Sequence, residues 1–384
     1  GTLLPVRANL DGFSTMAIGL MGGAYFLGFT IGCLRGSVLL RKVGHVRVFA
    51  AMTAAASAAP LIHGLWVEAW LWWLLRFVTG FCFAVLYVVI ESWLNEQATN
   101  ETRGAVFSAY TLITLTVLAG GQQMLLLYDP GDMYLFAIAS ALVSIAAIPV
   151  VLSVRPTPAH IEKKVKLDLR RLFRISPVGA LGCLASGLAN GVFWALAPVF
   201  VAAYSPDVKL AAWFMTAAVL GGALGQWPLG LWSDRVDRRW VIAFAAFVGL
   251  LVSVSIAVFY AQVGVITLML LSAAWGAVAF PMYAISVAHT NDNADSIEYV
   301  MISSGLLLMY GIGAIVGPFV APLVMRWTSA GGLYLFAAAV HLLLLVYILI
   351  RIPRRAPVAD DEQLPFSDSL AATQTASHIY EDEL

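Results

Sequence analysis

Residues 234–261 read DRVDRRWVIAFAAFVGLLVSVSIAVFYA, a charged turn followed by an apolar run with no charged residue from Trp240 to Ala261. An α-helix rises 1.5 Å per residue, so about 20 apolar residues cross the roughly 30 Å hydrocarbon core of a bilayer. This run has that length. Outward from it, similar runs lie near 12–40, 46–64, 70–92, 105–127 and 132–153, then near 177–202, 209–232, 239–261, 263–288, 297–325 and 330–351. A charged stretch from Arg155 to Arg174 separates the two groups, and a polar, acidic tail runs from Pro353 to Leu384. The tail has no apolar run and is expected to be disordered. The chain reads as an all-α polytopic membrane protein.

Composition supports that reading and excludes others. Of 384 residues, 61% are hydrophobic and 11% charged, with zero formal net charge; a soluble domain carries about 25% charged residues. An ordinary soluble enzyme, a nucleic-acid binder and a disordered chain are excluded. Cys33, Cys82 and Cys183 sit inside apolar runs, so neither a disulfide framework nor a metal site is expected. The six histidines, at 45, 63, 160, 289, 341 and 378, are scattered, and no nucleophile–base cluster points to an enzyme. No metal or cofactor is expected, and the partners are the bilayer and a small-molecule solute, with the protein acting as a monomer.

The two groups of runs resemble each other. At an offset of 193, Pro5 matches Pro198, Ala24 matches Ala217, Gly28 and Gly32 match Gly221 and Gly225, and Gly120 matches Gly313. Near the ends, Tyr134-Leu-Phe-Ala137 recurs as Tyr334-Leu-Phe-Ala337, at an offset of 200. An internal repeat of this period marks a two-bundle architecture. Gly1 then corresponds to Trp194, so residues 1–9 are expected to be the outer end of a helix whose counterpart runs 177–202. The expected plan is six plus six helices in two pseudo-symmetric bundles, with most of the first helix absent from this chain. The expected domains are residues 1–153, a linker 154–175, a second bundle 176–351 and a tail 352–384.

Charges sort by side. Alternating loops place 17 of the 22 Lys and Arg residues on the side of the linker and tail, and three (Arg7, Lys209 and Arg326) on the other. Positive residues accumulate on the cytoplasmic side, so linker and tail are expected in the cytoplasm of a bacterial inner membrane.

The turn Gly230-Leu-Trp-Ser-Asp234-Arg235-Val-Asp237-Arg238-Arg239 resembles the loop signature of the major facilitator superfamily, with Asp237 where glycine is usual. Its first-half counterpart, Ser37-Val-Leu-Leu-Arg41-Lys42-Val-Gly44-His45-Val-Arg47, carries Arg41 where that signature has Asp. Arg76-x-x-x-Gly80 resembles a second signature, and Gly313-x-x-x-Gly317-Pro318 resembles an exporter motif that belongs to an earlier span. The phrases Arg76-Phe-Val-x-Gly80, Val88-Val-Ile-Glu91-Ser92 and Gly225-Gln-Trp-Pro228-x-Gly230 look most like the YcaD-type branch. The resemblance implies a transporter with its solute cavity between the two bundles.

Helix N-termini favour negative charge, so Asp234 is expected to cap the span starting near Arg103, with Arg103, Arg235, Arg238 and Arg239 completing a gate. The symmetric contact would set Arg41 and Lys42 against Asp292, Asp295 and Glu298. The alternative is that these charges only set topology. Within the spans, charge costs at least about 2.5–3.5 kcal/mol at a helix centre and marks function. Arg76, Tyr87 and Glu91 share one face of a helix; Arg76 suits an anionic or polar group of a solute, or else donates to carbonyls of neighbouring helices. Glu91 is either a proton-coupling carboxylate or a gate contact. By span order in the superfamily fold, Asn190, Trp194, Trp275 and Tyr283 line the cavity, with Tyr25, Gln122, Gln226 and Tyr310 from adjoining spans. Amide and aromatic groups at mid-depth suit a planar, hydrogen-bonding solute, although each has a packing alternative. The expected function is secondary active transport of a small organic solute by alternating access, with proton-coupled uptake of a nutrient or vitamin preferred. Drug or metabolite efflux and a non-transporting sensor are the alternatives.

Overall fold

The computed structural model describes residues 2–99, 102–152, 168–294 and 298–354, together with Val358, Gln363 and Phe366. The first half comprises α1 (Leu3–Leu10), α2 (Thr15–Val43), α3 (His45–Leu65), α4 (Ala69–Gln97), α5 (Arg103–Gln123) and α6 (Tyr134–Val151). A short α7 (Leu169–Ile175) precedes α8 (Pro177–Tyr204), α9 (Val208–Ser233), α10 (Arg238–Phe259), α11 (Val265–Ala279), α12 (Pro281–Asn291), α13 (Tyr299–Trp327) and α14 (Gly332–Arg351). Among the described residues, eleven helical spans have the length and apolarity to cross a membrane. Alternation gives each a linker end and a far end.

Local chemistry sets the boundaries. The Ser14 and Ser176 hydroxyls accept from the backbone N–H of Ala17 and Gly179, and the Asp207 and Asp237 carboxylates accept from those of Lys209 and Arg239. Each such cap is worth about 0.5–2 kcal/mol. The run expected at 263–288 is one membrane span but two helices, because Pro281 has no N–H to continue the ladder and begins a new helix. Part of the expected linker also folds: α7 is capped by Asp168 and buries Leu172.

The halves repeat in three dimensions. Gly28 lies against the Phe77 carbonyl, Gly80 against that of Tyr25 and Gly32 against that of Phe81, joining α2 to α4 at backbone contact. In the second half Gly221 meets the Ala273 carbonyl, Gly276 that of Ala218 and Gly225 that of Ala277, joining α9 to α11. The equivalences run at an offset of 193 on one helix and 196 on the other. Likewise α3 packs on α6 as α10 packs on α14. No Cβ would fit at these crossings, so small residues let the helices touch.

The halves close on each other from mid-depth to the far end. There Gly19 meets Pro318 and Pro322, Gly22 meets Ala195, and Gly23 meets Phe319. Gln123 donates to Thr216 across the α5–α9 seam at 2.5 Å. At mid-depth Gly311 packs on Thr30.

Candidate functional site

Mid-depth positions of α2, α4, α8 and α13 converge where the halves meet. Arg76 lies seven residues into α4, roughly 10 Å from its far end. Its guanidinium carbon stands 4.1 Å from the ring centroid of Tyr25 on α2. Among the described residues it has no carboxylate partner. Opposite, Asn190 of α8 sits beside the Tyr310 hydroxyl of α13, and its Oδ1 is buried with no partner. The Tyr310 ring contacts Tyr283 of α12 edge-on at 5.1 Å. A cation, an amide with a vacant acceptor and several phenols thus face one seam. Such a set can orient a planar solute by one charge and a few hydrogen bonds.

Toward the linker end the same face of α4 carries Tyr87, which meets Phe29 at 6.2 Å, and Glu91. The Glu91 carboxylate is buried and accepts from the Tyr110 hydroxyl at 3.5 Å. Tyr87 and Tyr283 are within its electrostatic reach. Arg76 and Glu91 are about 22 Å apart along the helix, so they do not pair with each other.

Other expected residues are placed elsewhere. Trp275 belongs to the core of the second half: it is fully buried, stacks on Phe193 at 4.9 Å and donates its indole N–H to Ser253 at 3.1 Å. Its stacking neighbours and its hydrogen bond are both inside the bundle, so it does not line the cleft. Trp194 does remain partly exposed there, stacked at 5.6 Å on Phe280, the residue at the α11–α12 break. Phe280 was missed by sequence reasoning, although a Phe-Pro pair inside a span was the available signal. Tyr110 was also missed. Gln122 is buried at the far end, where it accepts from Thr2. Gln226 lies one turn from Gly222, which packs on Phe280, and is half-buried. Trp275→Phe should lower the melting temperature in detergent by several degrees, because a buried hydrogen bond worth about 1 kcal/mol and some packing are lost. Solute affinity should not change; a weakened affinity would return Trp275 to the cleft.

The charged turn is an ion cluster within the second half. Arg238 is almost completely buried and bonds Asp292 at 2.6 Å, Asp234 at 3.2 Å and the Ser233 hydroxyl at 2.9 Å. Arg239 binds Asp237 at 2.6 Å. Burial alone would push the Asp237 carboxyl upward, but hydrogen bonds from the Arg239 side chain and backbone outweigh it and hold it below the ordinary value. Asp234 Oδ1 also accepts the backbone N–H of Phe366 at 2.9 Å. Thus Asp292, expected opposite Arg41 and Lys42, is bound by Arg238, and Glu298 is bound by Arg171 at 2.8 Å. Arg238 is nearer because it lies one turn beyond Asp234, on the helix that follows the loop. Arg41 and the exposed Lys42 lie at the linker end of α2, and Arg235 is exposed on the loop. Asp295 and the Arg103 side chain lie outside the described residues.

This architecture has counterparts among known proteins. A family model described as Major Facilitator Superfamily matches residues 1–179 and 179–374. The chain is 26% identical to the uncharacterized MFS-type transporter YE1530 of Yersinia enterocolitica, covering 95% of this chain and 93% of that one. It is 25% identical to the uncharacterized MFS-type transporter YcaD of Escherichia fergusonii, over 91% and 90%. Among solved structures, the nucleoside transporter NupG superposes with a TM-score of 0.72 at 16% identity, covering 91% of this chain and 93% of that one. A bacterial homolog of the human lysosomal transporter Spinster, in an inward-facing and occupied conformation, gives 0.69 at 15% identity, covering 94% of each chain.

Proposed function

The chain belongs to the major facilitator superfamily, and from that membership we propose that it takes up a small planar organic solute across the bacterial inner membrane, coupled to protons. The observation that carries the reading is the Arg76 guanidinium, set inside a span on the ring of Tyr25 without a carboxylate partner among the described residues. An unneutralised cation at that depth is costly, and an anionic or strongly polar solute group supplies what it lacks. Asn190 offers its unpartnered Oδ1 to a donor on the same solute, while Tyr310 and Tyr25 supply faces for stacking.

The halves touch at the far end, and in the proposed cycle the site opens next toward the linker end, on the side where basic residues gather and which we assign to the cytoplasm. The halves then rock about the mid-depth site to expose it on the other side. Glu91, buried at the cytoplasmic end of the same helix face, is where a proton travelling inward with the solute is released.

Counterflow in liposomes holding the full chain tests the transport reading, against a panel of nucleosides, organic acids and vitamins. Exchange of at least one solute is expected; no exchange of any solute favours the sensor. Glu91→Gln tests the coupling. It should leave counterflow near the wild-type rate but abolish accumulation driven by a proton gradient. Equal accumulation in both proteins removes Glu91 from the coupling path.

A further inference from the structure

The outer face of the second half carries a groove of about 530 Å³ at its linker end, between α9, α10 and α14. Trp232, Trp240, Phe244, Phe247, Leu345 and Leu349 wall it, and all of these but Leu345 are exposed. Trp232 meets Phe244 edge-on at 5.1 Å, joining α9 to α10. Trp240, Phe244 and Phe247 recur at helical spacing, so the groove runs from the charged turn about 10 Å down the span. Its deep end is phenylalanine and leucine. Its linker-end rim carries donors instead: among the described residues, the Trp232 and Trp240 indole N–H groups make no hydrogen bond. Arg235, in the turn between those tryptophans, is exposed and has no carboxylate partner among the described residues. Asp234 and Asp237 are already held by Arg238 and Arg239, which leaves Arg235 to an outside anion. The internal repeat shows that the fold does not require this groove. At the offset of 193, Trp240, Phe244 and Phe247 correspond to Arg47, Ala51 and Ala54 of α3, and Trp232 to Leu39 of α2. Both halves build the same helix pairing, α3 on α6 and α10 on α14, but the second lines its outer edge with rings where the first has alanine.

We propose that this groove binds one anionic phospholipid of the linker-side leaflet, with an acyl chain along Phe244, Phe247 and Leu349 and the phosphate against Arg235 and the two indole N–H groups. The order of the groups is the order within a lipid: donors and a cation at headgroup depth, apolar surface below them. Lipid tails are as apolar as leucine, so contact with rings does not by itself select one lipid from the bilayer. The headgroup contacts make the choice. A guanidinium grips a phosphate with two parallel N–H bonds, and each basic residue near the surface adds attraction for an anionic lipid. A zwitterionic headgroup brings its own cation to Arg235 and gains less. An interfacial belt accounts for tryptophans at headgroup level, but not for phenylalanines continuing one and two turns below Trp240 along a groove. The site lies on the outer face of one half, away from the seam that holds Arg76 and Asn190, and does not depend on which solute is carried.

Native mass spectrometry tests the site on the full chain, released from micelles that hold equal amounts of dioleoyl phosphatidylglycerol and dioleoyl phosphatidylcholine. Wild type should retain one phosphatidylglycerol in preference to phosphatidylcholine. Arg235→Gln should cut that preference about fivefold, the effect of one basic residue at a membrane surface. Lys42→Gln, which removes an exposed cation at the linker end of the first half, should leave it unchanged. Phe244→Ala combined with Phe247→Ala gives the groove the side chains of the first half; it should lower retention of both lipids and keep their ratio. The substituted side chains are all exposed, so each variant should elute as the same monodisperse peak as wild type. Equal retention of the two lipids by wild type, an unchanged preference in Arg235→Gln, an equal drop in Lys42→Gln, or full retention in the double variant overturns the site and leaves only unselected lipid around a basic surface. Counterflow judges the transport reading separately.

Discussion

Arg76→Gln should lower the affinity for an acidic solute by ten- to a hundredfold while leaving the protein folded and no less stable. The guanidinium is stacked on Tyr25 and has no carboxylate partner among the described residues. A charge at the centre of a span costs about 2.5–3.5 kcal/mol, an upper figure for Arg76, seven residues in from the end of α4. Cation–π attraction returns about 0.5–2 kcal/mol. The remainder burdens the empty protein and is relieved when an anion binds, through charge-assisted hydrogen bonds worth about 1.5–3 kcal/mol. A neutral glutamine removes both the burden and the gain. Matched acid and amide solutes, such as nicotinate and nicotinamide, make the measurement specific when run as counterflow competitors. Wild type should prefer the acid, Arg76→Gln should lose that preference, and Arg76→Lys should keep part of it, since a lysine is a point charge without the bidentate fork. Equal competition by acid and amide in wild type would refute an anionic solute and leave transport itself untouched.

Much of this was legible in the sequence because a bilayer imposes simple rules. Apolar run length marks the spans, and each of the eleven expected runs falls on a candidate membrane span of the structure, one of them divided at Pro281 into two helices. The glycine pairs that revealed the repeat are the points where backbones touch, and a position with no room for a side chain leaves a trace in sequence. Arg76, Tyr25, Asn190 and Tyr310 meet at one seam because charges and amides inside a span must face protein rather than lipid. Aromatic positions were less legible. Trp275 and Tyr283 share a span, but the break at Phe280-Pro281 ends the helical phase that would relate them, so Trp275 faces the second-half core. Partners of surface charges were not legible either. Several arginines can reach one carboxylate, and only the exit direction of α10 gives Asp292 to Arg238. Composition alone predicts a disordered tail, yet Phe366 packs against the bundle. A single aromatic opposite a glycine is too small a signal for a compositional rule.

The pseudo-symmetry of the glycine contacts carries a second large effect. Gly28→Ala and Gly221→Ala should each destabilise the protein by about 1–3 kcal/mol, and by similar amounts, since the first places a methyl on the Phe77 carbonyl and the second places one on the Ala273 carbonyl. The obstacle in both cases is backbone, which cannot turn aside as a side-chain end can. Relief therefore requires α2 to part from α4, or α9 from α11, at some cost in packing along the crossing. Gly264→Ala is the control: nothing lies within 4 Å of its Cβ position, and its effect should stay within about 0.5 kcal/mol. The two destabilising sites lie in different halves and share no partner, so their effects should add in the double variant. Unfolding in detergent, followed by loss of the monodisperse peak on heating, reads all four proteins. The comparison also bears on mechanism. Rocking of two rigid bodies requires each half to keep its own helix crossings while the seam between them changes. Variants that loosen a crossing should thus slow counterflow even at temperatures where the protein is folded. If only one of the two glycines is sensitive, the halves are not mechanically equivalent and a symmetric rocking motion fails.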